Sequence, residues 1–122
     1  MRFMIIRKAD QQTEAGVPPN DELLAEMGRY IVEMAGAGVL RAGDGLQRSA
    51  TGARVRFHQG KPTVTDGPFA EPSELIAFFS IIEVSSREEA IEWVKRWPAM
   101  DGGGEVELEL RQIFDDDDDE WR

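Results

Sequence analysis

The sequence contains no cysteine and a single histidine, His58, among its 122 residues. The chain therefore forms no disulfide and offers no thiolate nucleophile and no cysteine-ligated zinc or iron–sulfur centre. One histidine also rules out a histidine-rich metal site. A small protein that folds without disulfides suits a reducing compartment, so we expect a cytoplasmic protein. Since no stretch has the pattern of a nucleotide, haem or flavin site, we expect neither a cofactor nor a metal.

Positive charge is also scarce, because 14 lysines and arginines stand against 24 acidic residues for a net charge of −10. No segment forms a basic patch, which argues against a nucleic-acid partner. Long apolar runs are missing too. The N-terminal stretch MRFMIIRKAD is too short for a signal peptide or a membrane span, so we expect no membrane partner.

The most acidic segment is DDDDDEWR at residues 115–122. Its like charges repel one another and cannot be buried together, which predicts a disordered tail. The run lacks the glycine and the spaced ligands of a calcium loop. The preceding residues, 1–114, have the length of one domain with one core.

Apolar periodicity divides residues 1–114 into strands and helices. The continuous apolar runs in RFMIIR and ELIAFFSIIEV indicate strands covered on both faces, whereas EVELELRQIF alternates as a strand with one wet face. Asn20 and Ser86 are suited to be helix N-caps, with acidic residues in the turn after each. The predicted elements are a strand at 2–7, a loop at 8–19, a helix from 21 to Gly36 or Gly38, a strand from 39, a hairpin of 53–58 with 61–65, a strand at 74–84, a helix from 87 that Pro98 ends, and a strand at 105–114. For residues 74–77 a helix is the alternative, because they have no strand signature.

Without the hairpin, this order is βαββαβ, which predicts an α+β fold of the ferredoxin-like type with an insertion at about residues 47–76. In that fold both helices cover one face of the sheet, and the first and third core strands are central. Since those two strands are apolar on both faces, the second face needs another cover. We therefore expect a homodimer whose sheets pack face to face as an α/β barrel. The alternative is that the hairpin and the loop after it cover part of that face.

The stretch TDGPFAEP at residues 65–72 carries the strongest local turn signal. Gly67 and Pro68 set the backbone conformation there. Asp66 has two interpretations that the sequence leaves open: a catalytic general base at a strand end, or a turn residue whose carboxylate binds the backbone. Phe69 either lines a ligand pocket or plugs the core.

The other candidate site residues lie close to this stretch in the sequence. Arg54, Arg56 and His58 share the polar face of the hairpin. The two arginines could hold a small anion, and His58 is a catalytic candidate because a histidine titrates near neutrality. Glu71 is a pocket candidate that could act as a second carboxylate beside Asp66. For each of these residues the alternative is a solvated side chain.

Five segments resemble the YCII-related (YciI-like) family, and more narrowly its DGPF branch: MRFMII, AGVLRAGDGLQ, VRFHQGKPTVTDGPFAEP, EEAIEWVKRWP and EVELELRQIF. The resemblance covers nearly the whole chain up to Phe114. It implies a ferredoxin-like protomer in a dimeric α/β barrel. Some members of the family look like enzymes that use acid–base chemistry, and genes of the DGPF branch often lie beside genes of sigma factors. The resemblance therefore implies either an acid–base enzyme or a link to transcription.

The chain departs from the family pattern where known chemistry would be carried. The YciI-like branch is associated with a histidine near the start of the first helix and an aspartate just before a proline after the second. Here the first helix starts NDELLAEM and Trp97 precedes Pro98, so this pair cannot be carried over. The segment EPSE at 71–74 also lacks the lysine of the E-x-K-E pattern that often follows the DGPF motif.

Three functions stay open at this point. The first is an enzyme that acts on a small organic ligand by acid–base chemistry, in a pocket near the TDGPF loop with Asp66 as the base. The second is a non-catalytic binding or sensing domain linked to transcription regulation. The third is an interaction module whose product is the dimer itself.

Overall fold

A four-stranded antiparallel sheet organises the chain. The structure is a computed structural model that describes residues 1–115. These residues form six strands: β1 (Arg2–Lys8), β2 (Leu40–Gly45), β3 (Ala53–His58), β4 (Lys61–Asp66), β5 (Ile76–Glu83) and β6 (Leu108–Gln112). The four strands of the main sheet lie in the order β6–β1–β5–β2. If the separate hairpin of β3 and β4 is not counted, β5 and β6 are the third and fourth strands, and this is the 4-1-3-2 order of a ferredoxin-like fold. The predicted α+β class and the central position of β1 and β5 are therefore confirmed.

Three α-helices accompany the strands within residues 1–115: α1 (Gln11–Glu14), α2 (Asp21–Gly36) and α3 (Arg87–Lys95). Both predicted N-caps are confirmed. The Leu23 backbone N–H donates to Asn20 Oδ1 at 2.8 Å, and the Glu89 N–H donates to Ser86 Oγ at 3.1 Å. The short helix α1 lies where the sequence predicted a loop, because Asp10 caps it reciprocally with Thr13.

The core lies between one face of the sheet and the helices α2 and α3. Alternate residues of β1 and β5 supply the sheet side, and the helices supply large side chains. Its large buried side chains include Phe3, Ile5, Tyr30, Met34, Ile82 and Trp97. The Tyr30 hydroxyl donates to the Trp93 carbonyl at 2.6 Å and so joins α2 to α3. Burial raises the pKa of Tyr30 to about 12, although the positive charge of Arg96 acts to lower it.

The hairpin β3–β4 forms a sheet of its own. It was predicted correctly, including the turn at Gln59 and Gly60, both of which have positive φ. Its apolar side is bare in the protomer, with exposed fractions of 55% for Val55, 68% for Phe57 and 65% for Val64. The hairpin therefore does not use this side to cover the main sheet.

The main sheet has a second apolar face, opposite the helices. Met4 pairs with Ile81 and Ile6 pairs with Phe79 across β1 and β5, so these four side chains form one patch. They alternate with the core-facing residues of the same strands. We call this set, Met4, Ile6, Phe79 and Ile81, the open-face patch.

The chain end that the structure describes lies against the start of β1. The Arg2 guanidinium donates to the Asp115 carboxylate at 3.4 Å and to the Phe114 carbonyl at 3.0 Å. The rest of the predicted acidic tail, residues 116–122, lies outside the described residues. Among residues 1–115, no helix combines the length and the apolarity that crossing a membrane would require.

Candidate active site

A cavity of about 1010 Å³ opens between α2, the segment that follows β1, and the loop that follows α3. We call it the site cavity. Its wall combines apolar side chains with a compact set of charged and polar ones. Residues of both kinds in the wall are Arg7, Asp10, Leu23, Met27, Arg48, Phe78, Trp97 and Asp101. Cavities of this size, mostly apolar with a few convergent polar groups, are typical of small-molecule sites.

The apolar wall comes from the helix α2 and from two aromatic rings. Leu23 and Met27 lie one turn apart on α2, and both face the cavity. The rings of Phe78 and Trp97 meet edge to face, with centroids 5.8 Å apart and planes at 66°. This contact holds both rings in place, because edge-to-face pairs are favoured over other orientations.

The polar wall is built on a buried ion pair between Arg7 and Asp101. Arg7 Nη2 lies 2.7 Å from Asp101 Oδ1, and Arg7 Nε lies 3.0 Å from Asp101 Oδ2. Both side chains are only 7% exposed. The indole N–H of Trp97 also donates to Asp101 Oδ2, at 2.9 Å. Asp101 is therefore held by two partners and Arg7 is held in a bidentate geometry.

Asp10 adds a second carboxylate to this pair. Its Oδ2 accepts from Arg7 Nη1 at 3.2 Å, and its side chain is 35% exposed, so it is the more accessible of the two acids. Arg7 Nη1 also donates to the Lys8 carbonyl at 2.8 Å. We call Arg7, Asp10 and Asp101 the Arg7 cluster. In the described part of the chain, no three Asp, Glu or His side chains come together in a way that would hold a metal ion.

The Arg7 cluster keeps both carboxyl groups ionised. Burial alone would raise the pKa of Asp101, but the bonds from Arg7, Trp97 and the Gly102 N–H outweigh it and lower that pKa. The pKa of Asp10 is also lowered, because the Thr13 N–H and Arg7 outweigh its desolvation. The hydrogen bond to Asp101 in turn raises the pKa of Arg7. At neutral pH the cluster therefore carries one positive and two negative charges.

Local backbone structure explains how these residues meet. Arg7 continues the core-facing side of β1 after Phe3 and Ile5, so its side chain enters the protein interior. Asp101 begins a tight turn in which Gly102 has φ of +62°. A β-carbon on Gly102 would lie 3.7 Å from Arg7 Nη2 and from Asp10 Oδ2. Glycine at this position supplies the backbone conformation and lets the turn approach the cluster closely.

The TDGPF loop is attached behind the wall of the site cavity. The Gly67 N–H donates to the Gly52 carbonyl at 2.9 Å, and the Phe69 N–H donates to Ser49 Oγ at 3.0 Å. Ser49 in turn donates through its hydroxyl and its backbone N–H to the carboxylate of Glu14, in α1. Since Arg48 borders this turn and lines the site cavity, the loop supports the wall of the cavity from outside.

The six residues predicted for a site lie on the surface of the hairpin and around the TDGPF loop. Asp66 and Glu71 are exposed, as are Arg54, Arg56 and His58. Phe69 is half-buried, and the Arg54 guanidinium lies 3.9 Å from the centre of its ring. Within residues 1–115, none of the six lines the site cavity. The structure does not bring them together with the Arg7 cluster, and their roles stay predictions.

Sequence reasoning did not single out Arg7 or Asp101, although each left a signal. Arg7 interrupts an apolar strand at a position that should face the core. Asp101 is followed by Gly102, Gly103 and Gly104, a run that allows a tight turn beside a polar group. A charged residue on a core-facing position indicates a buried partner, because an unpaired buried charge is strongly disfavoured.

The chain is similar to 5-chloro-2-hydroxyhydroquinone dehydrochlorinase (TftG) from Burkholderia phenoliruptrix AC1100, solved in complex with 2,5-dihydroxybenzoquinone, with a TM-score of 0.49 and 14% sequence identity. The likeness covers 93% of this chain and 94% of that chain. No curated protein matches the sequence.

Comparison with protein families confirms the predicted resemblance to the YCII-related family. The family model of the YCII-related domain matches residues 1–114. That range includes every strand and helix described above, together with the Arg7 cluster. The chain therefore belongs to the family of proteins with a YCII-related domain.

Proposed function

We propose that this protein is an enzyme that binds a small organic molecule in the site cavity and acts on it by acid–base chemistry. The observation that carries the proposal is the Arg7 cluster, a buried charged group in the wall of a large and mostly apolar cavity. Buried charges are rare unless they are paired, and they are concentrated at functional sites.

Asp10 is the proton acceptor in this proposal. It is ionised at neutral pH, and its side chain is the more exposed carboxylate of the cluster. Arg7 lowers the basicity of Asp10 but equally stabilises the anion that a ligand becomes when it loses a proton. The bonds described above use four of the five guanidinium N–H groups, so one N–H on Nη2 is left for that anion.

Asp101 acts as a positioning residue rather than as a base. Its carboxylate is almost fully buried and already accepts from Arg7 and from Trp97. By accepting from Nε and Nη2 along one edge of the guanidinium, it orients the other edge of Arg7 toward Asp10. A fixed guanidinium needs no reorganisation when negative charge develops beside it, which is how preorganised sites lower a barrier.

The walls of the cavity define the ligand class. Leu23, Met27 and the rings of Phe78 and Trp97 favour an apolar body, such as a small ring. The Arg7 cluster favours one acidic group, an enolic or phenolic O–H or a C–H next to a carbonyl. A cytoplasmic location agrees with small organic metabolites as ligands and with the absence of cysteine from the sequence.

The Asp10→Asn variant tests the proposal. Asparagine keeps the cap of α1 but removes the proton acceptor. For whichever phenolic or β-dicarbonyl compound of a screening panel the wild type converts, we expect turnover to fall by about 10²–10⁴-fold, with affinity nearly unchanged. Turnover is followed by NMR and binding by thermal shift. Glu88→Gln, at an exposed acid of α3, is the matched control.

Two results would count against the proposal. If Asp10→Asn keeps its turnover, Asp10 is not the base. If the wild type binds members of the panel and converts none of them, the protein is a binding or sensing domain, as the second sequence-based hypothesis states.

We also propose that two copies form a homodimer. The open-face patch is apolar and lies on the face of the sheet opposite the core, where Met4, Phe79 and Ile81 are half-buried and Ile6 is buried within the protomer. The hairpin adds the bare side chains of Val55, Phe57 and Val64, and a two-stranded hairpin is only marginally stable by itself. Residues 53–66 carry a net charge of +2 within a chain of −10. A second copy therefore offers both apolar surface and the opposite charge.

Phe79→Arg is expected to convert the dimer into a monomer, because it places a charge in the middle of the open-face patch. Light scattering at micromolar concentration measures the mass, and circular dichroism confirms that the variant is folded. Val32→Arg, at a residue of α2 that is 71% exposed, is the control and should remain dimeric. A wild-type protein that is monomeric and folded at this concentration would overturn the homodimer.

A further inference from the structure

A second cavity of about 260 Å³ lies deeper between the sheet and α2. It shares wall residues with the site cavity, namely Met27, Gly45, Phe78 and Trp97. The two spaces therefore adjoin at the pair of aromatic rings. We call the deeper space the Ser80 cavity, after the residue of β5 that lines it.

Ser80 is the unusual residue of this cavity. It is 2% exposed, and its neighbours on the same face of β5, Phe78 and Ile82, belong to the apolar core. Among residues 1–115, Ser80 Oγ is the buried side-chain polar atom that has no hydrogen-bond partner. A buried hydroxyl without a partner is unfavourable, so it indicates that another group hydrogen-bonds with it when the cavity is occupied.

No polar group of residues 1–115 lies within hydrogen-bond distance of this hydroxyl. Two donors line the cavity, but both are already engaged: the Tyr30 hydroxyl donates to the Trp93 carbonyl, and the Trp97 indole N–H donates to Asp101. The cavity has room for more than a single water molecule, and its largely apolar wall favours an organic group.

We propose that the Ser80 cavity is the specificity subsite of the site cavity. It takes the far end of the ligand, a ring or short apolar group that bears one uncharged oxygen, and that oxygen hydrogen-bonds with Ser80 Oγ. The aromatic side chains of Tyr30, Phe78 and Trp97 suit such a group. This inference rests on the proposed function, since the acidic end of the same ligand would lie at the Arg7 cluster.

The subsite offers no counter-charge to an anionic end group. No lysine, arginine or histidine lines the Ser80 cavity among the described residues. Asp44 borders the cavity, but it pairs with Phe79, so its side chain lies on the other face of the sheet. A carboxylate or phosphate in the cavity would therefore be buried without a partner. Gly43 also lines the cavity, and a β-carbon on it would lie 3.2 Å from Ser80 Cβ. Glycine therefore leaves room beside the hydroxyl.

Ser80→Ala tests the subsite with three small probes, phenol, toluene and benzoate, titrated by NMR. The wild type should prefer phenol to toluene, and benzoate should bind least well at this subsite. In the variant we expect the affinity for phenol to fall by about tenfold and the affinity for toluene to stay the same. The unliganded variant should unfold at the same temperature as the wild type or at a higher one, because its unpaired hydroxyl is gone. Ser73→Ala, on the surface, should change nothing.

The possible results separate this inference from the proposed function. If Ser80→Ala lowers the unfolding temperature and leaves the preference for phenol intact, the hydroxyl is structural and the subsite is wrong. If the preference is lost in Ser80→Ala while the wild type converts no compound, the subsite stands and the enzymatic proposal fails. If Asp10→Asn abolishes turnover and Ser80→Ala leaves phenol binding unchanged, the enzymatic proposal stands and the subsite is wrong.

Discussion

Asp101→Ala is expected to lower the free energy of unfolding by about 3–5 kcal/mol. The substitution leaves the Arg7 guanidinium, whose side chain is 7% exposed, with Asp10 as its remaining counter-charge. It also removes the acceptor of the Trp97 indole N–H. Removing one partner of a buried ion pair is strongly destabilising, because the other charge stays desolvated. Urea unfolding followed by circular dichroism measures the loss.

The matched control for this experiment is Glu92→Ala. Glu92 pairs with Lys95 on the surface of α3, where their side chains are 69% and 66% exposed. Exposed pairs of this kind contribute about 0–1 kcal/mol. If Asp101→Ala loses no more stability than Glu92→Ala, the Arg7 cluster does not hold the fold together.

The same variant should show a defined dependence on pH. The pKa of Asp101 in the folded protein lies below its ordinary value of 3.8. Its contribution to stability is therefore present above pH 3.8 and is lost as the pH falls through the lower, folded-state pKa. The difference in unfolding free energy between wild type and Asp101→Ala should be constant near neutrality and should shrink below pH 3.8. A difference that stays constant in acid would contradict this assignment.

Gly67→Ala is expected to be the most disruptive small substitution in the TDGPF loop. A β-carbon on Gly67 would lie 1.8 Å from the Ser49 carbonyl oxygen and 2.7 Å from its carbon. Both are backbone atoms, so the clash is relieved only if the loop or the turn at Ser49 moves. We expect a loss of about 1–3 kcal/mol in the free energy of unfolding, the usual range for overpacking.

Gly28→Ala provides the control with the opposite sign. Gly28 lies inside α2, and nothing lies within 4 Å of the position of its β-carbon. Alanine there should raise the free energy of unfolding by about 0.5–1 kcal/mol, because glycine is unfavourable in a helix interior. If Gly67→Ala behaves like Gly28→Ala, the loop is not fixed against Ser49, and the support it gives to the site cavity is not needed.

Asp101→Ala and Gly67→Ala test two parts of the same site, the wall of the site cavity and the loop behind that wall. Asp101 lies in the wall of the site cavity and orients Arg7, so its loss should affect stability and ligand binding together. Gly67 lies one layer farther out and acts through Ser49, Glu14 and Arg48. The contacts of the loop attach the DGPF motif behind the wall of the site cavity, and the roles predicted for Asp66 and Phe69 stay predictions.

Several parts of the fold were predictable because they depend on local chemistry. Asn20 and Ser86 cap the helices as predicted, since a cap needs only a short polar side chain and the backbone a few residues later. The strands β1 and β5 are central as predicted, because their apolar runs leave no wet face. The helix α1 was missed, because its four residues are stabilised by one capping aspartate rather than by a periodic pattern.

The sequence alone determined the βαββαβ order, the hairpin and the family, because periodicity and turn chemistry act between residues that are close in the chain. Only the tertiary structure decided where the charged site lies. Arg7 and Asp101 are separated by 94 positions. They meet because β1 directs one side chain inward and a glycine turn after α3 brings the other to it. Contacts between distant positions depend on how the elements pack, and a single sequence does not encode that packing in any local pattern.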